Sequence, residues 1–393
     1  MNEKTIKGCD PQTGRCLAVV VDADAGVIVR VDESTDDTDV FLSPGLIDLQ
    51  VNGFAGLDVN GPQLTPHTVL GLVDVMLSRG VTCFAPTIIT ASEESICHAL
   101  SIIAVTRSSH PKVAACIPFV HIEGPHISSL DGYRGAHPAK DVRPPSISEF
   151  DRWQATSGNL VGIVTLSPHF DESVTYIAAL VKQGVHVAIG HTHASPEQIR
   201  RAVEAGASLS THLGNGIAPE IPRHRNPIWS QLAEDRLSAS FISDGHHLPP
   251  EVLSVMLRAK GLERSLLVSD SVALAGMAAG VYSTPVGGRV ELGEDGRLCV
   301  VGSELLAGAI ASLADGVGNL VRNVGVPLHD ALAMATTNPG GFVHGRGQLT
   351  PGSRADLLSF RWKDAIFIED VWLGGEAVYT RGEPVDREGK ASQ

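Results

Sequence analysis

Cysteine is scarce, with six in 393 residues (Cys9, Cys16, Cys83, Cys97, Cys116 and Cys299), no CxxC and no short repeating spacing. Neither a disulfide scaffold nor a thiolate zinc site is indicated, and the six read as buried thiols. Basic residues are also in deficit: 30 Lys and Arg against 44 Asp and Glu leave a net charge of −14. With no broad basic surface, nucleic acid and anionic membranes are not expected partners. One small phosphate stays open, because a few local cations or a helix N-terminus can hold it. Apolar runs of the length of a membrane span are missing, and the polar start Met1 to Pro11 lacks a secretory core, so a cytoplasmic protein is expected. No Pro/Gly-rich linker splits the chain, and no GxGxxG follows the first strand-like run, which disfavours a dinucleotide fold. What remains is 43% hydrophobic and 19% charged, the balance of a large packed core.

Apolar, β-branched segments recur eight times: LIDLQVN (46–52), VTCFAPTI (81–88), CIPFVHIEG (116–124), LVGIVTLSP (160–168), VHVAIGH (185–191), SLSTHL (208–213), LSASFISDG (237–245) and SLLVSDS (265–271). Amphipathic stretches lie between them, such as 67–80, 93–107 and 195–206, where Ser195 and Pro196 form an N-cap and N1 pair. Near-continuous strands alternating with helices predict a parallel sheet covered by helices, and eight such units predict an α/β (β/α)8 barrel over 44–344. Both ends carry short strand patterns, predicting a small β-sandwich module built from 1–43 and 345–393. The segments 305–323 and 330–343 read as two helices that close the barrel and lead back to that module.

Barrel chemistry sits at the C-terminal ends of strands, so the polar residues that interrupt the apolar runs are the candidates. They are Gln50, Asn52, His121, Glu123, His191, His193, His212, Asn215, Asp244, His246, His247 and Asp270. Glu123, His191 and His212 make a carboxylate plus two imidazoles from separate strands, a first shell for one divalent ion with a position open to water. Sixteen histidines are scattered along the chain, and His121, His193 and His246 read as structural. Asp270 suits proton transfer beside such an ion, or an N-cap after the last strand.

In order, PGLIDLQVNGFAG (44–56), HIEGPHI (121–127), GHTHA (190–194), THLGN (211–215), SDGHHL (243–248) and VSDS (268–271), with the closing GQLTPGSRADLLSF, resemble the amidohydrolase superfamily over nearly the whole chain. Within it, the closest likeness is to the N-acetylglucosamine-6-phosphate deacetylases. The resemblance implies one divalent metal per subunit, zinc first among zinc, iron, manganese and cobalt, held by Glu123, His191 and His212. It implies hydrolysis of the N-acetyl amide of N-acetylglucosamine 6-phosphate by metal-activated water, with Asp270 as general base and acid and His247 polarising the carbonyl. Ala136, His137, Asn215, Gly216, Leu306, Ala307 and Gly308 fall where the family contacts substrate, and Arg223 or Arg225 where it holds phosphate, an arginine that can come from the other subunit of a homodimer.

Three departures stand out. Gln50 and Asn52 replace the His-x-His of many amidohydrolases, which points to one metal. IAPEIPRHRNPIW replaces the expected phosphate loop, and His169 replaces an expected carboxylate. No lysine follows the fourth strand to bridge two metals, which argues against a cyclic amidase. The alternatives are an amidohydrolase acting on another acylated amino sugar or amide, and a barrel without catalysis.

Overall fold

The computed structural model describes residues 2–36, 38–284 and 287–382; the expected module's last stretch, 383–393, lies outside the described residues. Eight parallel strands follow one another in sequence order: Leu46–Val51, Val81–Ile89, Val120–Glu123, Val161–Leu166, His186–Ile189, Leu209–Ser210, Ser238–Phe241 and Ser265–Leu267, here barrel strands one to eight. Each lies inside or overlaps its predicted run. The sixth and eighth are shorter than their runs because His212 and Asp270 take positive φ (29° and 49°), which a strand ladder does not accommodate. Inward-facing Ile47, Cys83, Ile163, Ala188, Leu209 and Leu266 are among the residues that fill the barrel.

The helices outside the strands start where the sequence places their caps. Ser195 accepts a hydrogen bond from the Gln198 amide and begins Pro196–Glu204, with Pro196 at the first helical position. Thr65 and Ser92 cap Pro66–Ser78 and Glu93–Ser109 in the same way.

The closing segment differs from expectation. The helix predicted over 305–323 begins only at Leu313, where Ser312 and Asp315 form a reciprocal cap, and after Asn319 it widens into a π-turn, Leu320–Val324. Upstream, Gly308 has φ 116°, outside the helical region, and a Cβ there would stand 2.3 Å from Val272 Cγ1. Residues 305–307 instead run extended beside Leu298–Val300, with the Ala307 amide bonded to the Leu298 carbonyl. That strand belongs to an unpredicted three-stranded antiparallel sheet with Gly280–Thr284 and Gly288–Leu292. The 330–343 run holds two short helices, Leu328–Ala333 and Thr337–Gly340.

Strands from both ends of the chain form one seven-stranded sheet. Its middle joins the termini, Leu357–Trp362 lying antiparallel to Phe41–Pro44. Ile6, Val19, Val21, Ile28, Leu42 and Leu357 build a core of its own. A single residue, Gly45, separates this sheet from barrel strand one.

Strands eight and one meet without a regular ladder. At the C-terminal end the Asp270 amide donates to the Gln50 carbonyl (3.0 Å) and the Asn52 amide to the Ser271 carbonyl (2.8 Å). At the other end Met334 and Ala335 fill the gap, accepting from Leu267 and Ile47 at 2.8 Å each. The fully buried Asp48 accepts from the amides of Gln50 and Ser269 near this seam, both at 3.2 Å. Burial pushes its carboxyl up to about 7 against those hydrogen bonds. A folded-state pKa above the unfolded one means that the folded chain holds the extra proton. The associated stability is complete below about pH 4 and is lost as pH rises through 7. Asp48→Asn, which keeps an acceptor oxygen, should therefore flatten the decline in urea-unfolding stability between pH 5 and about 8. An unchanged slope would show that Asp48 does not carry this linkage.

Candidate active site

Barrel strands three, five and six deliver one donor each to a common point. Glu123 ends strand three, and His191 and His212 follow strands five and six; all are buried. His212 Nε2 lies 2.9 Å from Glu123 Oε1, His191 Nε2 lies 3.4 Å from the same oxygen, and the two imidazole nitrogens are 3.2 Å apart. The three ligand atoms all fall within 4.8 Å of one another, and among the described residues no other trio of such donors converges this way. His191 Nδ1 donates to the Tyr133 carbonyl at 3.0 Å, which leaves its Nε2 with a lone pair aimed at the other two donors. A carboxylate and imidazole lone pairs turned inward on one point fit a divalent ion. Burial would raise the Glu123 pKa, but when the His191 and His212 rings carry a proton on Nε2 their hydrogen bonds and charge outweigh it and hold the carboxyl well below its usual value.

Two side-chain amides, Gln50 at the end of strand one and Asn52 just after it, each meet a carboxylate. Gln50 Nε2 donates to Glu123 Oε1 at 3.1 Å, and Asn52 Nδ2 to Asp270 Oδ1 at 2.8 Å. Each amide thus orients a carboxylate. Burial, and then the charge of Glu123, push Asp270 up to about 6. A carboxyl in that range can take up and release a proton near neutral pH.

His247 stands in the same cavity, its Nδ1 bonded to Asp244 Oδ2 at 2.7 Å. Burial raises Asp244, yet the His247 hydrogen bond and charge prevail and hold it at about 2, so the carboxylate is ionised and fixes the ring. His137 Nδ1 is bonded to Thr90 Oγ1 (2.9 Å), and its ring packs 4.4 Å from that of His191. Burial lowers His137 to about 3, which keeps it neutral. His121 spends both nitrogens inside the barrel, on the Leu49 carbonyl and Thr165 Oγ1. His193 bonds Ser128 and packs against His169, which bonds Ser167.

A cavity of about 320 Å³ opens over this cluster, within the range of small-molecule sites. Ala136, His137, Asn215, Gly216, Leu306, Ala307 and Gly308 line it together with Glu123, His191, His212, His247 and Asp270. Arg223 and Arg225 do not: both are exposed on the loop before the helix Pro227–Leu232. Among the described residues no lysine or arginine lines the cavity. Among the wall residues that the sequence reading missed are Asp58, Asn60, Thr284, Leu298 and Glu304. Asn60 carried a readable signal, a polar side chain in a turn; it bonds the Thr87 carbonyl and the Ile89 amide at the end of strand two. The strand carrying Thr284 ends just before the turn signal PVGG and the one carrying Leu298 begins just after EDG, so both were legible from the turns they flank.

Residues 41–378 match the amidohydrolase family. The chain belongs to the amidohydrolase family. This amidohydrolase is 34% identical over 364 residues to the N-acetylglucosamine-6-phosphate deacetylase of Bos taurus, covering 88% of this chain and 86% of the relative. It is 31% identical to the N-acetylgalactosamine-6-phosphate deacetylase of Escherichia coli O157:H7, over 85% of this chain and 87% of that one. Among solved structures, an N-acetyl-D-glucosamine-6-phosphate deacetylase mutant from Mycobacterium smegmatis, in complex with N-acetyl-D-glucosamine-6-phosphate, is similar with a TM-score of 0.83 at 27% identity, covering 93% of this chain and 95% of that one.

Gly216 has φ 59°, and a Cβ there would stand 2.7 Å from His191 Nδ1. Gly216→Ala in this amidohydrolase should push the ring off the Tyr133 carbonyl and weaken divalent-ion affinity about 10–100-fold, read by titrating chelator-treated protein. Unchanged affinity would mean that the loop yields without moving His191.

Proposed function

We propose that this amidohydrolase removes the acetyl group from N-acetylglucosamine 6-phosphate, giving glucosamine 6-phosphate and acetate. The observation that carries the reading is one cavity holding the Glu123–His191–His212 cluster, the raised Asp270 carboxyl and the Asp244-fixed His247. Relatives named as deacetylases of this substrate, at 33–34% identity in four mammals, support it.

Glu123, His191 and His212 would hold one divalent ion, zinc in our reading, although iron, manganese and cobalt accept the same donors. Bound there, the ion supplies Lewis acidity that makes water acidic and an amide carbonyl electrophilic. Asp270, steadied by Asn52, accepts the proton of the attacking water as the carbon–oxygen bond forms. In its protonated form, His247 donates from Nε2 to the carbonyl oxygen while Nδ1 stays on Asp244; one such donor contributes about 3–4 kcal/mol. Asp270 then gives its proton to the sugar nitrogen as the carbon–nitrogen bond breaks, releasing the amine and acetate.

Leu306, Ala307 and Gly308 close over the sugar, Ala136 and His137 contact it from the loop after strand three, and Asn215 and Gly216 hold it from the loop after strand six. With no lysine or arginine among the described residues of the cavity wall, the phosphate is met from outside by Arg223 or Arg225 of a second copy, as a fork-shaped donor in a cytoplasmic homodimer. The Escherichia coli relative makes the galacto epimer the sharpest competitor.

The decisive assay is acetate release from metal-loaded protein on N-acetylglucosamine 6-phosphate, its galacto epimer and the unphosphorylated sugar. Preferential turnover of the first, reduced at least about 10³-fold in Asp270→Asn, is expected. Turnover of the epimer instead would reassign the sugar, and no turnover by metal-loaded protein would send the search to other amides or to a barrel without catalysis. Arginine in trans has its own test. Mixing inactive Asp270→Asn chains with Arg223→Ala/Arg225→Ala chains should restore a fraction of activity through mixed dimers. Failure of dissociated and reassociated chains to complement would place the phosphate contact elsewhere.

A further inference from the structure

We propose that Cys9 and Cys16 are a modification site, a thiol pair that closes into an intramolecular disulfide when met by a disulfide oxidant such as glutathione disulfide. The two cysteines stand opposite each other on Glu3–Cys9 and Cys16–Asp22, the first pair inside a six-residue turn. Their register decides what they can do. Toward the turn, the Asp10 amide donates to the Arg15 carbonyl at 2.8 Å. The Cys9 amide instead points away to the Val40 carbonyl, and the Cys16 carbonyl accepts from Ser34. Cys9 and Cys16 thus form a non-hydrogen-bonded pair, the geometry that brings opposing Cα atoms to about 4.5 Å, inside the range a disulfide spans. The sulfurs are already 2.8 Å apart.

The turn holds them there. Asp10 accepts from the Gln12 amide and the Thr13 hydroxyl, and its carbonyl from the Gly14 amide, while Cys9 Sγ donates to the Thr38 carbonyl at 3.1 Å. Cys9 is buried and Cys16 half-buried, so Cys16 is the sulfur an oxidant meets first. The Cys16 thiolate attacks the oxidant's disulfide, forming a mixed disulfide and releasing one thiol; Cys9 then loses its proton and displaces the second. Two protein thiols are oxidised and one small-molecule disulfide is reduced to two thiols. The reaction leaves the deacetylase reading untouched, because the pair lies in the terminal sheet.

The sequence supplies the readout. Trypsin cleaves after Lys7, Arg15 and Arg30, so Gly8–Arg15 and Cys16–Arg30 stay together only through a Cys9–Cys16 bond. Full-length protein is treated with glutathione disulfide, denatured in iodoacetamide and digested without reductant. The joined peptide, two hydrogens lighter than its parts, should dominate, and it should disappear on dithiothreitol treatment and in Cys9→Ser and Cys16→Ser. Recovery of both peptides alkylated, or of Cys16 carrying glutathione beside alkylated Cys9, would overturn the proposal.

Discussion

One buried carboxylate organises the mouth of the barrel. An isolated ion at Glu123 would cost several kcal/mol in lost hydration, and every neighbouring element answers that demand. Strand one contributes the Gln50 amide, strands five and six their imidazoles, and the loop after strand three brings His137 Nε2 to 3.9 Å. The same compensation leaves donor atoms turned toward one point, so the electrostatic solution for the fold also provides the site for an ion.

Holding these groups in place requires backbone that a relaxed chain avoids. His191, His212 and Asp270 all take positive φ without being glycine, a conformation that costs about 1–3 kcal/mol each. It turns each side chain inward just beyond its strand. Support comes from behind: Gly135 and Gly216 let the loops close onto the His191 ring, and Asn52 fixes Asp270. Further out, the buried Lys260 ammonium donates to the carbonyls of Gln231, Glu234 and Leu237 at 2.7, 2.9 and 3.0 Å. That clamp secures the end of the helix whose preceding loop exposes Arg223 and Arg225.

The barrel strands were legible because burial on both faces writes itself as continuous β-branched runs, and the donors because they break those runs at one end. Glu123, His191, His212 and Asp270 could be located without coordinates for that reason. Leu306, Ala307 and Gly308 were placed in the wall by the family resemblance, yet their conformation was misread: LLAGAIASLADG carries helical periodicity, and the Ser312 cap and the positive φ of Gly308 override it. Tertiary partners were the least legible. Nothing in the local sequence says that Gln50 bonds Glu123, 73 positions away, or that Asp58 and Glu304 share a wall. The exposed arginines show the same limit, since spacing along a chain carries no information about which copy of it a side chain faces.

The seam between strands eight and one couples mechanics to chemistry. Because the Asp270 amide is itself part of the joint, through its bond to Gln50, the residue proposed to carry the proton is also a rivet of the ring. Parting of strands eight and one at this junction would break the Asp270–Gln50 bond and carry Asp270 away from Glu123. The backbone proton of Asp270 is therefore a gauge of that joint, exchanging with solvent when it opens.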